Sequence, residues 1–320
     1  MRSFLVKLIR IRWRRSLPSI GAAAVVAIGL FCTPAALAAA GPQQAAAPPA
    51  AENAAAGYVG ESTCTTCHTD IAKGFAANPH SRLALEHAGH GVTCESCHGP
   101  GKAHVDGGGD VTKIFRFTRA SAEQIDAKCL TCHAAAHPDF PRSPHGAAGL
   151  TCLSCHSVHH AATPNFLLTA AQPALCYQCH AAVKARFSMP FHHRVPEGLM
   201  KCSDCHDPHG TFLPDQLQAT ADQNTICAKC HTETAGPFVY EHPVVRTEGC
   251  LACHSPHGSP NPRLLKVSNV NTLCLQCHTA SINFGEAGTP SFHNQAAQYV
   301  ACTNCHTQIH GSNASDIFFK

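Results

Sequence analysis

Past residue 38 this 320-residue chain has no uninterrupted apolar run approaching the roughly 20 residues that a membrane-spanning helix needs. It has no sustained alternation of apolar and polar residues either, which argues against a large β-sheet. Charge is sparse, at 13% of residues, and is scattered without blocks of one sign. The formal net charge of +3 misleads. Six basic residues (Arg2, Lys7, Arg10, Arg12, Arg14 and Arg15) and no acidic ones precede Ala38, so the remainder carries 17 basic against 20 acidic residues, a net −3. Such a balance gives no footing for a nucleic-acid partner. Methionine is scarce too, with only Met189 and Met200 beyond the first 38 residues.

What the chain has in excess is cysteine, 21 residues, and histidine, 25 residues. Twenty cysteines form ten copies of Cys-x-x-Cys-His: Cys64 and Cys67, Cys94 and Cys97, Cys129 and Cys132, Cys152 and Cys155, Cys176 and Cys179, Cys202 and Cys205, Cys227 and Cys230, Cys250 and Cys253, Cys274 and Cys277, Cys302 and Cys305. The adjoining histidines are His68, His98, His133, His156, His180, His206, His231, His254, His278 and His306. Two thiols at this spacing each form a thioether to one edge of the same porphyrin, and the next histidine reaches the iron as proximal ligand. Zinc sites and disulfides also use paired cysteines, but neither requires a histidine after the second one. The expected cofactors are therefore ten covalently bound c-type haems. Methionine ligation is almost excluded by the two remaining methionines, and no motif replaces its histidine by lysine, a nitrite-reductase signal.

Residues 1–38 read as a signal peptide, with a basic segment, an apolar run from Ile20 to Phe31 and Ala36-Leu37-Ala38 as the cleavage site. Cys32 leaves with it; the rival reading is an uncleaved anchor. Residues 39–57 are an Ala/Pro-rich linker, and 58–320 form the decahaem cytochrome domain, with about one haem per 26 residues. That is too little chain to wrap each haem separately. The haems must pack on one another, between short helices and Gly/Pro-rich loops.

The motifs alternate between two kinds. One follows Leu or Ile, as in LCYQCH, ICAKCH and LCLQCH, and the first cysteines at 129, 176, 227 and 274 are 47, 51 and 47 residues apart. The other is followed closely by a second histidine, as in CHSVHH, CHDPHG, CHSPHG and CHTQIHG, with first cysteines at 152, 202, 250 and 302 separated by 50, 48 and 52. The expected fold is mostly coil with short α-helices, an elongated array of about five two-haem repeats with little or no β-sheet, in which spatial order follows sequence order. The repeat also nominates distal iron ligands. His104, His159, His209, His257 and His310 follow the second kind of motif, while His80, His145, His193, His242 and His293 lie between the first kind and the next motif. His87, His90, His137, His160 and His192 are left over as exposed or packing residues, and the choices of His159 over His160 and His193 over His192 stay open. Which distal histidine serves which haem is not legible in one dimension.

Ten irons with two histidines each have no open position for a substrate, so the expectation is electron transfer with no catalytic residue. The segments CHGPGKAH, FHHRVPEG before CSDCHDPHG, and the CHSPHG repeats together resemble the MtrA/DmsE/PioA type of periplasmic decahaem cytochrome, over roughly Tyr58 to Lys320. The resemblance implies a haem wire inserted in an outer-membrane β-barrel sheath protein. It would pass electrons between periplasmic or inner-membrane cytochromes and an extracellular multihaem cytochrome or reductase, in metal reduction or Fe(II) oxidation. A free periplasmic shuttle and a multihaem reductase are the alternatives.

Overall fold

The computed structural model describes residues 57–86, 92–219, 222–278, 293 and 301–319. All belong to one compact unit, Ala47–Lys320. The signal peptide, most of the linker, His87 and His90 lie outside the described residues.

Short helices, single 3₁₀ turns and coil make up the described chain. The longest helix, Ala122–His133, shows how the motifs are mounted. Ser121 opens it with a capping box: its hydroxyl accepts from the Gln124 amide, and the Gln124 side chain accepts from the Ser121 amide. One face then delivers Cys129, Cys132 and His133 within its last turn. The described sheet is a single antiparallel pair, Tyr240–Glu241 against Gly311–Ser312, in the register Tyr240↔Ser312 and Glu241↔Gly311. Mostly coil with short helices and little sheet is thus what forms.

After each second-kind motif in the middle of the chain, the polypeptide loops out and returns to bridge its own histidine, at His156↔Leu168, His206↔Leu217 and His254↔Leu265. Each loop turns through two consecutive left-handed residues, none of them glycine: Phe166 and Leu167, Asp215 and Gln216, Arg263 and Leu264. Such residues cost of order 1 kcal/mol each, and a strain repeated at three equivalent places marks a constraint the repeat has to meet.

Apolar burial is thin. Among the described residues only Phe75, Phe140, Phe187 and Val195 are buried hydrophobics. The three phenylalanines stand at one offset, seven residues after His68, His133 and His180, and Phe238 holds the same place after His231. Each lies where a repeat meets the next one. The close approach there is governed by glycine. A Cβ on Gly210 would meet the backbone of Asp139 at 3.1 Å, and one on Gly258 would meet the Arg186 carbonyl oxygen at 2.0 Å. At the first junction the residue after the distal-candidate histidine is His160, and the glycine has moved to the facing helix, Thr69–Ala76: Gly74 sits against the His159 carbonyl, which its Cβ would meet at 2.9 Å. The contact persists with the small residue on the other side.

Candidate functional site

The two motifs of each repeat touch through their first cysteines. Cys64 lies beside Cys94, Cys129 beside Cys152, Cys176 beside Cys202, Cys227 beside Cys250 and Cys274 beside Cys302. Side-chain caps fix three of these pairs. Asp126, Asn224 and Asn271, each three residues before a first-kind motif, accept from the amides of Cys152, Cys250 and Cys302, all at 2.9 Å. Between repeats, Cys97 lies near Cys129 and Cys132, Cys155 near Cys176 and Cys179, Cys205 near Cys230, and Cys253 near Cys277. The motifs therefore follow one another in space in sequence order. None of the twenty motif cysteines is paired in a disulfide, and no three His, Cys, Asp or Glu side chains converge as a zinc site requires, among the described residues.

Each motif histidine faces one of the ten nominated partners. Between ring centres, His68 lies 6.3 Å from His104, His98 6.1 Å from His159, His133 6.0 Å from His80, His156 6.0 Å from His209 and His180 6.0 Å from His145. His206 lies 5.9 Å from His257, His231 6.3 Å from His193, His254 6.3 Å from His310, His278 6.1 Å from His242 and His306 6.5 Å from His293. An iron between two imidazoles, with bonds of about 2 Å and about 1.1 Å more from nitrogen to ring centre, requires about 6.2 Å. The residues fit the group. Rings in direct contact are closer: His137 stacks on His209 at 3.9 Å. Spacing alone does not qualify a pair, since His133 and His137, four residues apart, and the adjacent His159 and His160 are also 6.2 Å apart.

The partners come from neighbouring repeats. His80, His145, His193 and His242 each reach forward to the first-kind motif of the following repeat, while His159, His209, His257 and His310 each reach back to the second-kind motif of the preceding one. Every junction is thus crossed once in each direction. Only the ends close on themselves, His104 with His68 and His293 with His306. The two crossings at a junction also hold each other. Nδ1 of His145, His193 and His242 donates to the carbonyl of Pro208, Pro256 and Ile309, the residue just before the returning histidine, at 2.9, 2.7 and 2.8 Å. At the first junction Asn78 relays the contact, accepting from His80 at 3.1 Å and donating to Val158.

The strained loops find their use here. Phe166, Asp215 and Arg263 present their carbonyls to Nδ1 of His156, His206 and His254 at 2.6, 2.7 and 2.8 Å, and Phe115 and Ile317 do the same for His98 and His306 at 3.0 and 2.6 Å. An imidazole donating from Nδ1 is fixed in the tautomer whose Nε2 lone pair is free for a metal. Burial pushes His80, His159, His209, His242, His257 and His310 down from the ordinary histidine value, which favours the neutral, ligating form.

The leftover histidines differ. His192 is occupied on both nitrogens, Nδ1 with the Met189 carbonyl at 2.6 Å and Nε2 with Glu197 at 3.1 Å, while His193 takes the place facing His231. His160 is exposed, and His159 faces His98. The phenylalanines seven residues past the motif, the Asp/Asn caps three residues before it and the glycine contacts escape a motif search, although their fixed offsets are present in the sequence.

The family described as the doubled CXXCH motif matches residues 144–185, 192–236 and 242–282, and that of cytochrome c554 and c-prime matches residues 38–99. The multiheme cytochrome MtrA of Shewanella baltica is 34% identical over 270 residues, 79% of each chain. The chain belongs to the MtrA family of multihaem cytochromes. Its Cys-x-x-Cys-His motifs carry covalent c-type haems, and it is an electron-transfer protein. The C-type polyheme cytochrome OmcC of Geobacter sulfurreducens is 26% identical over 250 residues, 65% of this chain but only 30% of OmcC.

Proposed function

We propose that the ten histidine pairs hold ten bis-histidine c-type haems, a continuous wire along the chain. Each haem iron, cycling between ferric and ferrous, supplies the redox chemistry; the protein supplies position and tuning. Cys64 through Cys305 of the ten motifs provide the thioethers, the ten motif histidines the proximal ligands, and His80, His104, His145, His159, His193, His209, His242, His257, His293 and His310 the distal ones. The observation that carries this reading is the coincidence of ten near-iron spacings with motifs that touch in sequence order. The test is a haem count and magnetic circular dichroism on the purified chain. Ten haems per chain, all low-spin, are expected; fewer haems, or a high-spin ferric species as a reductase would show, refutes the reading.

After loss of residues 1–38 the chain would work in the periplasm, with residues 58–320 seated in an outer-membrane β-barrel and passing electrons between periplasmic cytochromes and an extracellular donor or acceptor. The MtrA relationship supports this. So do exposed apolar side chains, Phe212 at 92%, Phe166 and Leu199 at 77% and Val239 at 70%, which a protein sheath would cover. No described helix is long and apolar enough to cross a membrane, so crossing requires such a sheath. Co-purification with a barrel protein from native membranes is expected. Recovery from those membranes as a lone soluble monomer refutes the location.

A further inference from the structure

Four equivalent positions follow the second-kind motifs that precede His159, His209, His257 and His310, and they hold Ser157, Asp207, Ser255 and Thr307. Only Asp207 carries a charge. Its carboxylate stands 3.2 Å from Nδ1 of His209 and also accepts from the His209 amide at 2.9 Å, which holds it in place. No lysine or arginine among the described residues forms an ion pair with it. The facing ring, His156, donates from Nδ1 to the Phe166 carbonyl at 2.6 Å, and His137 stacks on His209 at 3.9 Å, restricting its rotation.

We propose that Asp207 makes the site of His156 and His209 the lowest-potential step of the wire. This rests on the reading of those two histidines as iron ligands. A carboxylate beside the outer nitrogen of an axial imidazole raises the basicity of the ligand, and its uncompensated charge favours ferric over ferrous iron. Both effects lower the reduction potential. The nearest competitor is Glu233, 3.6 Å from Nδ1 of His231, but its side chain is 70% exposed against 37% for Asp207, so solvent screens it more. The wire then contains an interior low step between its second and third repeats, a place where electrons do not rest.

The test is a spectroelectrochemical titration of the full-length holoprotein and its variants. Asp207→Asn keeps the size of the side chain and its oxygen acceptor for the His209 amide. The most negative tenth of the haem absorbance is expected to move to higher potential by at least a tenfold change in its equilibrium constant, 59 mV for one electron. All haems should stay low-spin, and Glu233→Gln should give a smaller shift. The reverse variant, Ser255→Asp beside His257, should lower one other tenth. An unshifted Asp207→Asn titration with low-spin haems retained, or an equal shift from Glu233→Gln, overturns the proposal. His209→Ala tests the underlying ligand reading separately: one tenth of the haem should become high-spin, and a fully low-spin spectrum there refutes the ligand role itself.

Discussion

Replacing Gly258 by alanine adds one methyl group at a junction that has no room for it. The new Cβ would lie 2.0 Å from the Arg186 carbonyl oxygen and 2.8 Å from its carbon, whereas a relaxed contact needs about 3.2 Å, so one backbone must retreat by about 1.2 Å. Neither side is free to move. The Pro256–Ser259 segment is tied to the preceding repeat by the His193 bond to Pro256 at 2.7 Å and by two bonds between Ser259 and Phe191 at 2.8 and 3.2 Å. Overpacking costs about 1–3 kcal/mol, and the three hydrogen bonds lost in relieving it about 1 kcal/mol each, giving about 4–6 kcal/mol in all. The same retreat carries His257 away from His206, now 5.9 Å distant, by more than half of an iron–nitrogen bond of about 2 Å. Magnetic circular dichroism of Gly258→Ala should therefore show one high-spin haem in ten, with thermal unfolding at lower temperature. Ten low-spin haems and stability within about 1 kcal/mol of the parent would refute the tight junction and its link to the ligand.

Phe187→Ala empties a buried site between repeats and should cost about 3–5 kcal/mol in denaturant unfolding of the holoprotein; a loss below about 1 kcal/mol would remove the phenylalanine from the core. Asn224→Ala loses its bonds to the Cys250 amide at 2.9 Å and the Val245 carbonyl at 2.7 Å, and should lower stability by about 1–3 kcal/mol while all haems remain attached, as haem staining and unfolding curves would show. His193→Ala should produce one high-spin haem while His192→Ala produces none; the opposite result would transfer the ligand role to His192. Asp207→Asn, described above, should raise the most negative potential of the set.

The two-way crossing at each junction has a consequence for folding. A repeat that binds haem alone would lack histidines held by its neighbours, so loss of one junction should unsettle two sites at once. Stability in such an array resides in nearest-neighbour contacts, here histidine crossings and one phenylalanine more than a shared apolar core.

Much of this was legible in one dimension, because covalent haem attachment is a local demand. Two thiols and a histidine must sit within five residues, so Cys176, Cys179 and His180 identify themselves without any fold. The ten histidines nominated by their place in the repeat are the ones whose rings face the motif histidines, and the shortage of sheet followed from the absence of alternation. Pairing was not. His145 and His180 are 35 residues apart and His156 and His209 are 53 apart, and nothing local distinguishes reaching forward from reaching back. The offsets of Phe75, Phe140 and Phe187 carry a regular signal, but a single phenylalanine in a loop has no helical or strand period to draw attention to it.

Sequence alone determined the attachment chemistry of this chain, ten Cys-x-x-Cys-His motifs in two alternating kinds, since bonds to the porphyrin are made by near neighbours. Tertiary structure decided which histidine meets which motif, that His159 and His193 rather than His160 and His192 stand at those places, and that one site alone has the carboxylate of Asp207 beside it. Those are relations between repeats, set by chain crossings, carbonyl bonds and glycine contacts across about 35 to 85 residues, and only folding brings their partners together.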